Sequence, residues 1–119
     1  MSKPVAHYSA SYRAGDLLFV SGQLGMVDGA LLDGVEAQTR QALVNMASVL
    51  GKEGLNLGDV AKCTIFLADI GDFGLVNEVY AQIFGDHRPA RSAFAVGALP
   101  LGARVEIEAY AHFPGAGRP

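Results

Sequence analysis

The sequence predicts an α+β fold, in which one β-sheet carries two helices on one of its faces. Several short segments are apolar or alternate apolar with polar residues, as strands do. Two longer segments between them repeat their apolar residues every three to four positions, as helices do. The order is strands, helix, strand, helix, strand, strand. The length of 119 residues suits one domain, so we expect a single domain over residues 1–119.

The N-terminal third predicts short strands joined by tight turns. Residues 8–13 are mixed in character and predict an edge strand, whereas residues 17–21 form an apolar run between glycines, typical of a buried strand. The dipeptide Asp28-Gly29 separates two further apolar segments. It favours a two-residue hairpin, because glycine accepts the positive φ of a type I′ turn.

Helical periodicity is clear from Val35 to Leu50, and Gly54 is expected to end this helix. Asp72 is the predicted N-cap of a second helix, whose apolar stripe starts at Phe73. Three strands complete the prediction, and the last has the clearest alternation in the chain. Their ranges are residues 62–67, 92–96 and 105–113.

The composition predicts an oligomer. Half of the residues (50%) are hydrophobic and only 18% are charged, against about 25% charged in typical soluble domains. A small domain exposes a large share of its surface, so it needs more polar residues rather than fewer. We therefore expect the sheet face without helices to be buried against other copies of the chain.

Several classes of function are disfavoured by the sequence. The net charge of -3 and the lack of a basic run argue against a nucleic-acid partner. No apolar stretch is long enough for a membrane span, and the N-terminus lacks the apolar region of a signal peptide. Cys63 is the only cysteine, which fits a reducing, cytoplasmic compartment. His7, His87 and His112 lack ligand spacing, so no metal site is expected.

Two groups of charged residues are candidates for chemistry. Arg91 follows Pro89 and opens a strand of small and apolar residues, where a guanidinium can bind a carboxylate through two hydrogen bonds. An ordinary surface arginine is the alternative, and spacing alone favours it. Glu106 and Glu108 share one strand face, where they either meet solvent or handle a proton or a water molecule in a cleft.

Several motifs together resemble the reactive-intermediate deaminase A (RidA, or YjgF-like) family. The match extends from Tyr8 to Ala111 in family order, and no single motif decides it. The matching segments are Arg88-Pro89-Ala90-Arg91-Ser92, Val96-Gly97-Ala98-Leu99-Pro100, Val105-Glu106-Ile107-Glu108-Ala109, Phe19-Val20-Ser21-Gly22-Gln23, Gln38-Thr39-Arg40-Gln41-Ala42-Leu43, and Asp72-Phe73 with Val76-Asn77-Glu78-Val79-Tyr80.

The resemblance implies a chorismate-mutase-like fold with one mixed sheet, assembled as a homotrimer with clefts between subunits. It implies hydrolysis of short-lived enamines and imines, such as 2-aminoacrylate and 2-imino acids, to 2-oxo acids and ammonia. No cofactor is implied. The alternatives are a trimer that binds 2-oxo or other small carboxylates without turnover and, ranked lower for want of positive charge, a ribonuclease or translation inhibitor.

The resemblance also implies roles for individual residues. Arg91 matches the arginine that holds the substrate carboxylate, and Glu106 matches the residue beside the hydrolytic water. Tyr8 and Asn77 match residues that line the cleft, and Gly22 matches a position of backbone contact. The chain departs from the family at two positions: Ala93 stands where many members have cysteine, and His7 precedes Tyr8 where glycine-proline is common. These departures leave the preferred imino acid open.

Overall fold

The computed structural model describes residues 6–114, which form one five-stranded sheet, a small two-stranded sheet and two helices. Three single 3₁₀ turns connect them, at Leu57–Asp59, Ile70–Asp72 and Pro100–Gly102. In chain order the strands and helices are β1 (Ser11–Ala14), β2 (Leu17–Leu24), β3 (Met26–Val27), β4 (Ala30–Leu31), α1 (Val35–Lys52), β5 (Val60–Leu67), α2 (Phe73–Phe84), β6 (Ala90–Ala95) and β7 (Val105–His112).

The main sheet has the strand order β1-β2-β7-β5-β6. Only β5 and β6 run parallel, and α2 connects them, as a crossover between parallel strands requires. The other neighbours are antiparallel, so the sheet is mixed. Both helices pack on one face, and the predicted α+β class is confirmed.

The core lies between this face and the helices, because each central strand directs every second side chain toward them. In β7, Val105, Ile107 and Ala109 are fully buried while Glu106 and Glu108 point the other way. In α1 the buried side chains recur at helical spacing, as the sequence predicted. The largest fully buried side chains are Leu18, Leu43, Met46, Leu50, Ile65, Leu67 and Ile107.

The predicted hairpin turn is present between β3 and β4. Asp28 and Gly29 have φ values of 52° and 82°, the left-handed pair that a type I′ turn needs. Asp72 directly precedes α2 as predicted, but its carboxylate does not cap the helix. The chain enters α2 through a 3₁₀ turn capped by Asp69, which leaves the Asp72 carboxylate to pair with Arg104 at 2.7 Å.

A close approach between the residue that follows β2 and the helix α1 depends on glycine. The backbone of Gln38 lies so near Gly25 that a Cβ atom there would collide with it. We expect Gly25→Ala to lower the free energy of unfolding by about 3 kcal/mol, because backbone must move to admit the methyl group. Urea unfolding measures the loss. Gly51→Ala is the control: its Cβ meets open space on a helix, so it is expected to stabilise by about 0.5–1 kcal/mol, and equal effects of both variants would contradict the steric argument.

The second face of the sheet, which we call the open face, carries large exposed aromatic residues. Tyr12 and Phe94 are 69% and 46% exposed. Phe19 and Tyr110 pack edge to face with ring centroids 5.2 Å apart, and Phe94 packs in the same way on Phe66. Exposed apolar patches of this kind are typical of protein interaction surfaces.

Candidate functional site

Arg91 lies on the helix side of the edge strand β6. It pairs with Cys63 of β5, whose side chain is buried under the helices, so the parallel register directs both side chains to the same face. The guanidinium reaches α2, where its Nη1 donates a hydrogen bond to Asn77 Oδ1 at 2.8 Å. Its Cζ lies 4.9 Å from the ring centroid of Tyr80 and 5.5 Å from that of Phe73. We call these four residues, Arg91, Asn77, Tyr80 and Phe73, the arginine cluster.

The arginine cluster is suited to hold an anion. A guanidinium has five N–H donors, and one of them is used by Asn77. The side chain of Arg91 is only partly buried, so its remaining donors can reach a small ligand. A planar carboxylate matches this fork through two parallel hydrogen bonds. Cys63 beneath it is fully buried, and burial raises the pKa of its thiol, so this cysteine is a packed core residue rather than a nucleophile.

Glu106 lies on the open face, beside a bulge in β2. The register between β2 and β7 shifts between Val20 and Gln23, and the bulge places Gly22 against the Glu106 carboxylate. A Cβ at position 22 would collide with this carboxylate, whose Cδ would lie 2.8 Å away. Glycine is therefore the residue that lets β2 approach the acid. Glu106, Glu108 and Gly22 form what we call the glutamate cluster.

The pKa of Glu106 is raised above its ordinary value near 4.5, first by burial and then by the like charge of Glu108 on the same face. The carboxyl therefore keeps its proton to a higher pH than an exposed glutamate does. Both neighbours along the sheet, Leu24 and Phe66, are apolar, so no cation beside it on those strands offsets the cost of ionising it. A group of this kind can exchange a proton with a reactant.

The raised pKa has a consequence for stability. Above pH 4.5 the unfolded chain has ionised Glu106 while the folded chain retains the proton, so the folded state binds more protons and its stability falls as the pH rises. The fall ends above the raised pKa. We expect the free energy of unfolding of Glu106→Gln, minus that of the unmutated protein, to increase across this window and then level off. Urea unfolding at a series of pH values measures it, and a constant difference would contradict the assignment.

Tyr8 lies near the glutamate cluster, at the rim of a shallow depression of about 330 Å³. Its side chain is exposed, and Ser21 below it is tied to the N-terminal segment by a hydrogen bond from its hydroxyl to the Ser9 carbonyl, 2.7 Å long. Glu108 also lines this depression. The depression is lined by Tyr8, Ser9, Tyr12, Phe19, Val20, Ser21, Glu108 and Tyr110.

The structure brings the five predicted site residues together in two groups rather than one. Arg91 lies with Asn77, and Glu106 lies with Gly22, while Tyr8 borders the second group through Glu108. The two clusters are on opposite faces of the sheet, and β5 separates their strands. One chain therefore cannot offer Arg91 and Glu106 to the same small molecule.

The structure adds two residues that sequence reasoning did not assign to the site, Tyr80 and Phe73. Their signal was available, because Phe73, Asn77 and Tyr80 are spaced i, i+4 and i+7 and so share one face of a helix. What the sequence could not show is that Arg91 on β6 meets that face.

Comparison with known proteins identifies the family. The sequence profile of the family described as endoribonuclease L-PSP matches residues 1–113. The chain belongs to this family. A human protein named 2-iminobutanoate/2-iminopropanoate deaminase is 44% identical over 110 residues, which cover 90% of this chain and 80% of the human protein.

Solved structures of the family superpose closely on this chain. RidA from the Antarctic bacterium Psychrobacter matches with a TM-score of 0.89 and 36% identity, over 92% of this chain and 91% of that one. TdcF from E. coli, solved with bound serine, matches with a TM-score of 0.89 and 34% identity, over 93% and 91% of the two chains. The RidA-like family that the motifs predicted is confirmed.

Within the described part of this family member, neither helix is long and apolar enough to cross a membrane. The human member of the family is named for small-molecule substrates, whereas the substrate partner and the homotrimer of this chain stay predictions.

Proposed function

We propose that this chain forms a single RidA-like domain and is an enamine/imine deaminase, which hydrolyses 2-aminoacrylate and 2-imino acids to 2-oxo acids and ammonia. The name of the human relative supports this activity. The structural observation that carries it is the pair of complementary groups: a guanidinium with free donors at Arg91, and a half-buried acid of raised pKa at Glu106.

The reaction needs only modest catalysis from the protein. A proton added to C3 of 2-aminoacrylate gives the 2-imino acid, water then adds to C2, and loss of ammonia leaves the 2-oxo acid. Arg91 holds the carboxylate, and Glu106 supplies or accepts a proton beside C2. Holding the reactants together lowers the entropic part of the barrier, and no cofactor is needed because imines already react with water.

The proposed site lies between copies of a homotrimer. Because the arginine and glutamate clusters face away from each other in one chain, a substrate can meet both only if a second copy presents its other cluster. The aromatic open face and the low charge content support such assembly. Sedimentation equilibrium is expected to give a trimer, and a stable monomer would overturn this site.

The activity is tested by generating 2-imino acids with an amino-acid oxidase while semicarbazide traps the imine that survives. We expect the protein to lower the yield of semicarbazone at a catalytic concentration. An unchanged yield across several imino acids would reject the deaminase.

Binding of small carboxylates without turnover is the second candidate, and the serine-bound structure of TdcF favours it. Under this alternative, calorimetry detects a 2-oxo acid bound to the protein although semicarbazone formation is unchanged. The arginine cluster serves both functions, so turnover alone separates them.

A further inference from the structure

We propose that Tyr80 is a positioning residue for the proposed deaminase, whose ring holds the guanidinium of Arg91 in the orientation that a substrate carboxylate needs. Phe73 completes this aromatic support. The inference rests on the proposed function, in which Arg91 binds the carboxylate, and it concerns the ring of Tyr80 rather than its hydroxyl.

The helix α2 presents three side chains to Arg91 in one row. Asn77 accepts a hydrogen bond from Nη1, which fixes one edge of the guanidinium. The rings of Tyr80 and Phe73 lie 4.9 and 5.5 Å from Cζ, within the distance at which a cation is attracted to an aromatic face. Together they restrict both the tilt and the rotation of the guanidinium.

Tyr80 is the rigid member of this row. Its side chain is only 7% exposed and packs on Phe84 with ring centroids 4.5 Å apart, whereas Phe73 is 36% exposed. Because the Tyr80 ring is held in the core, the guanidinium of Arg91 that packs on it is restricted as well. An arginine on an edge strand would otherwise have several side-chain conformations to choose from.

The hydroxyl of Tyr80 has no such function. It is buried beside the Cys63 thiol, and within residues 6–114 it makes no hydrogen bond to a nitrogen or oxygen atom. Sulfur is a weak hydrogen-bond acceptor. Burial raises the pKa of the Tyr80 hydroxyl above its ordinary value. An unpartnered buried hydroxyl opposes folding. Removing it while keeping the ring is therefore expected to preserve the site and to raise the melting temperature.

Three variants separate the ring, the hydroxyl and simple packing. Tyr80→Leu removes the ring and is expected to raise KM for the imine and Kd for a 2-oxo acid such as pyruvate by about three- to ten-fold, with kcat nearly unchanged. Tyr80→Phe is expected to restore both constants. Val79→Ala is the control for packing, since Val79 is buried in the same helix at 2% exposed and makes none of the contacts described above for Arg91 and Tyr80. It is expected to lower the melting temperature without changing Kd.

The result that would overturn the proposal is an unchanged Kd in Tyr80→Leu, or an equal increase in Val79→Ala, in a protein that turns over imines. NMR of ¹⁵N-arginine-labelled protein gives a readout that does not need activity. The Arg91 signal, assigned by its loss in Arg91→Lys, should show faster guanidinium rotation in Tyr80→Leu but not in Tyr80→Phe. If the unmutated protein neither turns over imines nor binds pyruvate, the proposed function fails, and the positioning role for substrate fails with it even where the NMR contrast is present.

Discussion

Arg91→Ala is expected to lower kcat/KM for 2-imino acids by about 100-fold, because two charge-assisted hydrogen bonds to the carboxylate are lost at about 1.5 kcal/mol or more each. Most of the loss should be an increase in KM, since the carboxylate is held equally in substrate and transition state. The kcat/KM of Arg91→Lys is expected to lie between those of the unmutated protein and Arg91→Ala, because a lysine ammonium keeps the charge without the planar fork. The oxidase and semicarbazide assay measures all three proteins.

Arg88 provides the control for net charge. It lies three residues before Arg91 in the same segment and is exposed, and no hydrogen bond or ion pair of its side chain is present in residues 6–114. Arg88→Ala changes the total charge by the same amount, so it should retain activity. A similar loss in both variants would mean that overall positive charge, and not a positioned guanidinium, governs the reaction.

The fold could be predicted from local patterns because its elements are locally encoded. The alternation from Val105 onward fixed the two faces of β7, and the Asp28-Gly29 turn was recognisable from two residues. Asp72 shows where local reasoning ends. Its position before α2 was correct, but the partner of its carboxylate, Arg104, comes from a loop 32 residues away.

The site was less predictable, because it depends on pairing between distant strands. The sequence places Glu106 and Glu108 on one face, but only the register of β5 with β6 directs Arg91 to the other face. The bulge that brings Gly22 against Glu106 leaves no local pattern, since it arises from the pairing of β2 with β7. The resemblance to the family predicted the five site residues, and the structure divides them between the arginine cluster and the glutamate cluster.

This division makes mixing of two inactive variants the sharpest test of the proposed site. At substrate concentrations below the KM of the unmutated protein, Arg91→Ala and Glu106→Gln are each expected to be nearly inactive alone. Equal amounts of the two variants are then unfolded and refolded together. If each site takes Arg91 from one copy and Glu106 from its neighbour, a site is intact where a Glu106→Gln copy supplies Arg91 and an Arg91→Ala copy supplies Glu106. Random assembly of a cyclic trimer gives about a quarter of all sites in this state, so activity should return to about a quarter of that of the unmutated protein.

The same experiment with a double variant gives the matching control. Arg91→Ala/Glu106→Gln refolded with an equal amount of unmutated chain should retain about a quarter of the sites if each site spans two copies, because both neighbours must be unmutated. A site contained within one copy would instead leave about a half of the activity in this mixture and none in the mixture of single variants. Since Arg91 and Glu106 lie on opposite faces of one sheet, we expect the two-copy result, and the one-copy result would contradict the proposed site.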